Sequence, residues 1–514
     1  MSSDAYVYDC LPGVSLREPA NSVTALEKAE DSFSFDTSGG VYGRTHFESA
    51  DTDRLNEAHW QFAYEQPIND VLNQRLPTIR ARATFETDNN PTLEGLVLQH
   101  TLATIGEDGP LADLQGEDDE TDEWCEQAMQ VWESWCRVAD ASGSLTLAGI
   151  LKKWNVGGWY AGEWLWRKVN ERPEHRRADV PHVRLMEIEP QRLMTPPDAT
   201  GDDAVSMGVR RNQFGRPTSY WISHGWQTLH FGGAWVSAAV MMHGFDRVQA
   251  KPGQARGVPW SQSGLPTAAD SRDYDTQVLD AARVAADNAV FAFTAHEDAE
   301  FTENVPKHIA WRRRNVNFMA PGWQPMVTQP GHPGANYTDH RQELHGDLGK
   351  PKGVPSMITR IDARDHNYSS ARFDYLLLGE SAKHLQATLY NPQLRGLFDE
   401  VIGDAILMRL LPPPPRGRMT LEWVWDAQPE VDEKKAADAE GLYLANGTQS
   451  LSRVVARRHG RRMRDVIRAR ERDDRLLRDA GLPTVAESTR RGAGNAASRG
   501  RQSNASAETN ETEE

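Results

Sequence analysis

Pro252-Gly253-Gln254-Ala255-Arg256-Gly257-Val258-Pro259 opens the stretch, residues 252–300, around which this 514-residue chain is organised. Gly and Pro punctuate the opening into turns. Pro266 then stands where a helix can begin, since a first-turn proline forfeits no hydrogen bond. Nothing between 267 and about 295 breaks a helix. Tyr274, Val278, Ala282, Ala285, Ala289 and Phe293 recur there at steps of three and four, on one face. Asp273, Asp280 and Asp287 fall on the opposite side, with Asp270 and Gln277 at its margin. The spacing predicts a helix roughly 40 Å long, at about 1.5 Å per residue. One face is small enough for close packing and another is an acidic stripe. Taken alone, the pattern reads as a core helix with one solvated side.

A chain of this length holds several substructures with a sizeable combined core. It has no apolar run of about 18 residues, so no membrane span is expected. Asp4 and Asp9 stand near the start without a basic region leading into an apolar one, which does not read as a secretory signal. Cys10, Cys125 and Cys136 are too few and scattered for a disulfide framework. The last two lie in one predicted helix, too far apart to bridge, and a reducing cytoplasm fits. The formal net charge of −17 argues against a protein that simply grips nucleic acid, because phosphate contacts need Lys and Arg. It leaves room for one that lets nucleic acid pass, since an acidic wall repels phosphate.

Residues 1–53 are polar, rich in Gly and Ser and without a sustained period, an arm ordered only on a partner. Residues 57–83 read as helical with breaks, and Arg75, Arg80 and Arg82 there read as a solvated basic face. The run Glu117-Asp118-Asp119-Glu120 suits a helix N-terminus, where the dipole favours acid. Trp124, Val131 and Trp135 follow at helical spacing, and Leu145, Leu147, Ile150, Leu151 and Trp154 form a second helix. Gly157-Gly158-Trp159-Tyr160-Ala161-Gly162-Glu163 leads to a short strand, Trp164-Leu165-Trp166. These tryptophans could stack on bases, but basic neighbours are sparse and core packing is the better reading. Between 183 and 242 the period moves toward two, with strands at 183–188 and 235–241. After the long helix, residues 300–333 are irregular, with Trp311-Arg312-Arg313-Arg314 as a basic knot. A short helix at 339–348 precedes one capped by Ser369 that stops at Asn391-Pro392, and another runs from 394 to 411. A strand at 420–426 and helices at 432–446 and 451–479 complete an α+β chain. The last helix carries eleven arginines between Arg453 and Arg478, interleaved with acids. It reads equally as a solvated helix with internal ion pairs or as a face for DNA phosphates or a neighbour. Beyond Pro483 the composition predicts a disordered tail.

A search for catalytic chemistry finds little to hold. Gly349-Lys350 is followed by Pro351 and lacks the glycine of a phosphate cradle, and neither a Gly-x-Ser-x-Gly elbow nor a His-Glu-x-x-His pair occurs. His332, Asp339, His340, His345 and Asp347 are the nearest thing to a metal set. His340 and His345 are five apart, which splays them around a helix, so ordinary histidines are expected there and no metal or cofactor.

Three ordered markers carry a family resemblance. Residues 252–259 before the long helix form the first. The second is Gly208-Val209-Arg210-Arg211-Asn212-Gln213-Phe214-Gly215-Arg216-Pro217 with Tyr220-Trp221, and the third is Gly353-Val354-Pro355 followed by Asn367-Tyr368-Ser369-Ser370-Ala371-Arg372. Together, from about residue 60 to 483, the chain resembles the lambda-like family of phage portal proteins. The resemblance implies a dodecameric ring at one capsid vertex, through whose axis double-stranded DNA is packaged and ejected. The subunit would comprise an N-terminal arm (1–56), a wing (57–266), a first stem helix (267–299) and a clip (300–336). A second stem segment (337–350), a tunnel loop region (351–368), a long helix with the wing return (369–430), crown-like helices (431–482) and a tail (483–514) would follow. Asp270, Asp273, Asp280, Asp287, Lys350, Lys352 and Arg360 are the candidate channel-lining residues. Arg312, Arg313, Arg314, Arg457, Arg461 and Arg468 are candidates for partner or DNA contact. The implied partners are the terminase large subunit, which carries the ATPase, a head–tail connector protein, and major capsid and scaffold proteins. The implied place is the virion, after assembly in the host cytoplasm, with no membrane and no catalysis by this chain. The rival readings are a cytoplasmic metal-dependent nucleic-acid hydrolase built on the His332–Asp347 set, and a non-annular capsid adaptor.

Overall fold

Trp132, Trp135, Trp154, Trp159 and Trp166 are each at most 2% exposed and lie in one apolar cluster, so the tryptophans are core. In this computed structural model the described residues are 61, 63 and 65–484, less 172, 226–227, 288–289, 295–322, 328–336, 365 and 427–432. The N-terminal arm, the tail beyond 484 and most of 300–336, with Arg312, Arg313, Arg314 and His332, lie outside them. The chain divides into the units Met1–Glu65 and Gln66–Glu514, and the elements below belong to the second.

Helix α1 (Ile68–Asn89) turns into α2 (Pro91–Ile105) at Asn90, whose side-chain oxygen accepts from the amides of Thr92 and Leu93. That cap, with Pro91 in the first turn, starts α2 where its first amides would otherwise lack partners. Strand β1 (Leu111–Gly116) leads to α3 (Asp119–Cys136), which begins as its acid run suggested. Asp118 accepts from the Thr121 amide at 2.8 Å, and the Thr121 hydroxyl accepts from the Asp118 amide. Helix α4 (Leu147–Tyr160) runs through Gly157 and Gly158, the start of the stretch expected to lead into the next strand. The reason is packing: a Cβ on Gly158 would stand 2.5 Å from the Trp260 ring.

Two antiparallel sheets follow. One joins β2 (Trp164–Asn170) with β3 (Val183–Ile188) and β8 (Met241–Gly244), Leu165 lying opposite both Ile188 and His243. The other is a meander of β4 (Val205–Ser206), β5 (Val209–Arg211), β6 (Pro217–Gly225) and β7 (Thr228–Ser237). The strand expected at 235–241 is interrupted by the turn Ala238–Val240, so its two halves join different sheets. Leu193, Val209, Tyr220, Ile222 and Met241 make a small second core between them, with Leu165 and Ile188.

The long helix, α5, spans Leu265–Asp287. It ends eight residues short of the expected 295, because Val290–Thr294 forms β9 and pairs with β10 (Trp323–Val327). Valine, phenylalanine and threonine favour that pleated partner over continued helix. Helix α6 (Tyr337–Asp347) returns along α5. A one-turn segment (Lys350–Lys352) and the short α7 (Ser356–Arg360) then precede α8 (Tyr368–Leu385). Asn367, not Ser369, caps α8, accepting from the Ser370 amide at 3.0 Å. Nor does the helix stop at Asn391-Pro392: a π turn (Gln386–Tyr390) carries it into α9 (Asn391–Leu407), the wider turn standing just before Pro392, which has no N–H to give.

Strand β11 (Met419–Val424) pairs with β1 across some three hundred residues of sequence, Leu111 facing Val424. The helices α10 (Glu433–Ala445), α11 (Leu451–His459) and α12 (Met463–Asp479) follow. The single helix expected over 451–479 is thus two. Gly460, in the left-handed region at φ 57°, closes the first, a conformation that glycine adopts without strain.

Candidate functional site: the long helix, its root and its acidic face

The helix is rooted by a buried ion cluster that the sequence reading missed. Gly162 holds φ at 81°, and a Cβ there would lie 2.1 Å from the Val258 carbonyl carbon, so only glycine lets the 162–163 corner touch the 255–259 segment. Glu163, fully buried, fills that corner. Its Oε1 accepts from Arg80 Nη2 at 2.6 Å and from Arg256 Nε and Nη2 at 2.7 and 2.5 Å. Its Oε2 accepts from the Gly257 amide at 2.8 Å and faces His243 Nε2 at 2.9 Å. Arg256 reaches on to the carbonyls of Leu193, Met207 and Pro190, and Arg80 to that of Ala161. Arg80 is therefore no solvated surface group; it is 6% exposed. The one available signal was the Gly162-Glu163 pair, since a buried charge persists only if paired.

Electrostatics follow from burial. Desolvation alone would raise the Glu163 carboxyl, but Arg256 and Arg80, with His243, outweigh it and hold it well below the usual range. Burial lowers Arg80 to about 10, against the pull of Glu163. Burial likewise lowers His243, so its ring is neutral, and the proton on Nε2 is donated to Glu163. Every carboxylate oxygen is occupied by protein donors. The cluster is a clamp joining α1, the end of α4, β8 and the run into α5.

From the clamp the chain passes Trp260 and Ser261, whose hydroxyl donates to the Trp159 carbonyl at 2.9 Å. Leu265, Ala268 and Ser271 bury the near face of α5. Arg272 pairs with Glu86 at 3.1 Å and stacks on Phe85, which ties α5 to α1. Along the other flank α6 runs antiparallel. His345 joins the Ser271 hydroxyl at 2.7 Å, Arg341 and Tyr337 donate to Asp275 at 3.0 Å, and Tyr274 meets His340 edge-on. Both ring nitrogens of His345 are engaged, the second by Thr92, so hydroxyls satisfy the residue once considered as a metal ligand. Among the described residues no group of His, Cys, Asp and Glu is arranged to hold a metal ion.

Asp270, Asp273 and Asp280 lie on the exposed side of α5, as their spacing predicted, and Asp280 accepts from Arg283 at 2.8 Å. Asp287 is the last helical residue, and its side chain lies outside the described ones. The other candidates separate. Lys350 is exposed beside Asp347, and Arg360 is half-buried on α7. Lys352 is placed differently from both. It is buried, donating to Asp246 Oδ2 and Gln249 Oε1, both at 2.7 Å, with its ammonium over the Trp260 ring. Neighbouring Gly353 takes a left-handed turn that sends the lysine inward. Arg461 is exposed, Arg468 donates to Glu126 of α3 at 2.7 Å, and the Arg457 side chain lies outside the described residues.

The α+β body thus clamps the base of a long helix and leaves one side of it exposed and acidic. Residues 54–386 match the family of phage portal proteins described as the lambda family. The match spans more than half of the chain, which therefore belongs to the lambda family of phage portal proteins. No curated protein matches it. Among solved structures it is similar to a chain of the virion of a native gene transfer agent particle, at 13% identity over 74% of this chain and 92% of that one, TM-score 0.41. The neck of an empty particle of that agent, computed with C6 symmetry, is similar at 14% identity over 80% and 94%, TM-score 0.41. An HK97-family phage portal protein from Corynebacterium diphtheriae is similar at 14% identity over 68% and 94%, TM-score 0.34.

Proposed function

We propose that copies of this chain close into a dodecameric ring at one capsid vertex, with double-stranded DNA entering and leaving along its axis. The family match over residues 54–386 is the observation that supports this reading. Heterologous contacts that close generate such rings. In this reading α5 and α6 are the stem, and Asp270, Asp273 and Asp280 face the axis or the neighbouring stem. Residues 57–266 are wing, 300–336 clip, 351–368 the region nearest the tunnel, 369–430 the return to the wing, and 431–482 crown. The terminase large subunit docks on the clip and supplies ATP hydrolysis, so this chain turns over neither ATP nor nucleic acid. A head–tail connector protein binds the ring, major capsid and scaffold proteins surround it, and assembly in the host cytoplasm ends in the virion. Electron microscopy of the purified protein tests the reading. Closed rings with a central hole are expected; strictly monomeric particles, even with scaffold and capsid protein present, would overturn it.

A further inference from the structure

The C-terminal helices carry a charge pattern of their own. Helix α3 contains Asp119, Glu120, Asp122, Glu123, Glu126 and Glu133 and no Lys or Arg. Residues 451–484 contain eleven arginines against five carboxylates, in a chain whose net charge is −17. The two segments meet through the ends of long side chains. Arg464 donates to Asp122 and, at 3.4 Å, to Glu126. Arg468 donates to the other oxygen of Glu126 at 2.7 Å. Arg462 donates to Glu133 at 2.5 Å while its Nε holds Asp465 at 2.7 Å.

Apolar burial contributes little to this dock. None of the residues of α12 is buried, and Ile467 and Leu476 are exposed. Helix α11 differs, since Val454 and Val455 are buried and Arg458 pairs with Glu440 of α10. Between the anchored helix and the one held by charge stands Gly460, in its left-handed turn.

We propose that α12 is an electrostatic strap, hinged at Gly460 and latched to α3 through Arg462, Arg464 and Arg468, and that duplex nucleic acid competes with α3 for these arginines. Carboxylate and phosphate oxygens accept from guanidinium in the same way. The Arg464 and Arg468 pairs are partly exposed, and such pairs are individually weak and fade as salt screens them, while Arg462 is set deeper and also donates to the Ala112 carbonyl. A duplex offers about one phosphate charge per 1.7 Å of its axis, a denser target than one acidic helix. Helix α3 therefore acts as an intramolecular competitor that makes nucleic-acid binding conditional. The proposal stands on these contacts and does not depend on ring closure.

Two measurements on the full chain test it. Hydrogen exchange read from about 0.01 to 1 M salt, over which the screening length falls from roughly 30 to 3 Å, should show α12 amides losing protection about tenfold. The amides of α2 and α4 should keep theirs. Protection of α12 that ignores salt would overturn the strap. Binding of a short DNA duplex is then compared for the native chain, for D122N/E126Q/E133Q, which unlatches α12, and for D119N/E120Q/E123Q. The last removes the same charge from the same helix without touching a latch pair. The unlatched variant should bind about tenfold tighter, the control within about twofold of native, and truncation after Gly460 should remove the gain. Equal gains in both variants, or none in the first, would overturn the competition. Should the unlatched variant fail to fold, the salt series on the native chain still decides the strap.

Discussion

Glu163 is buried and accepts five hydrogen bonds, so the value of the cluster lies in its completeness. Replacing it by Gln leaves two buried guanidiniums facing a neutral amide. E163Q should lose about 3–5 kcal/mol in chemical denaturation, the usual consequence of breaking a buried pair from one side. Acid should weaken the fold through different groups first. His100, wholly buried, is lowered to about 4 by desolvation, and His243 is lowered for the same reason. A base whose folded value lies below its unfolded one makes the unfolded chain take up the proton first. Stability is then full above about pH 6.5; for His100 it falls toward pH 4 by up to roughly 1.4 kcal/mol per pH unit, and His243 adds a loss of the same sign. Glu163 works at lower pH still, since a depressed carboxyl loses its contribution only as pH falls through its folded value. Melting curves between pH 7 and 5 should show a steep decline that H100Q makes shallower. An unchanged slope in that variant would remove His100 from the account.

At the scale of elements, the capping of α8 gives a sharp discrimination between neighbours. Asn367 holds the Ser370 amide, and the Ser370 hydroxyl accepts from the Asn367 amide, while Ser369 is exposed outside this exchange. N367A should therefore cost about 1 kcal/mol in urea unfolding and S369A close to nothing. The reverse order would restore the cap that the sequence suggested. The near miss shows what single-chain patterns carry. Val183–Ile188 was legible to the residue, because a short run rich in Val, Leu and Ile after Pro181 has few other readings. The packing fate of Trp132 and Trp154 followed from the scarcity of basic neighbours. The end of α5 was not legible, since Ala289 and Phe293 continued its period by coincidence, and what claims Val290 is a strand more than thirty residues away. The pairing of β1 with β11 is hidden for the same reason. The acidic face was readable from Asp270, Asp273 and Asp280, because solvent exposure on a helix follows spacing. The clamp was not, because nothing local in Arg80 announces Glu163, and Lys352 resembles a surface lysine until Asp246 and Trp260 are folded around it.

For the whole molecule, the exposed carboxylates on α5 decide between three roles that a single subunit cannot separate. In a closed ring each of Asp273 and Asp280 recurs around the axis, so a weak single charge becomes a band of negative potential. A band of that sign keeps phosphates from settling while DNA slides. If α5 faces the channel, D273K/D280K should leave rings intact in micrographs yet slow or stall packaging in vitro, and more so at low salt, where screening is weaker. A merely solvated face predicts rings and packaging both unchanged, because the two side chains are exposed. If the face meets the next subunit, the same substitutions prevent rings from forming, and the channel assignment of α5 is wrong. The fold itself should survive in all three cases, since the buried side of α5 is held by Ser271, Arg272 and Asp275 and its root by Glu163. Melting of the variant close to the native value separates these outcomes from a damaged subunit. Packaging measured at two salt concentrations, beside micrographs of the same preparation, then assigns the face to DNA, to solvent or to a neighbouring copy.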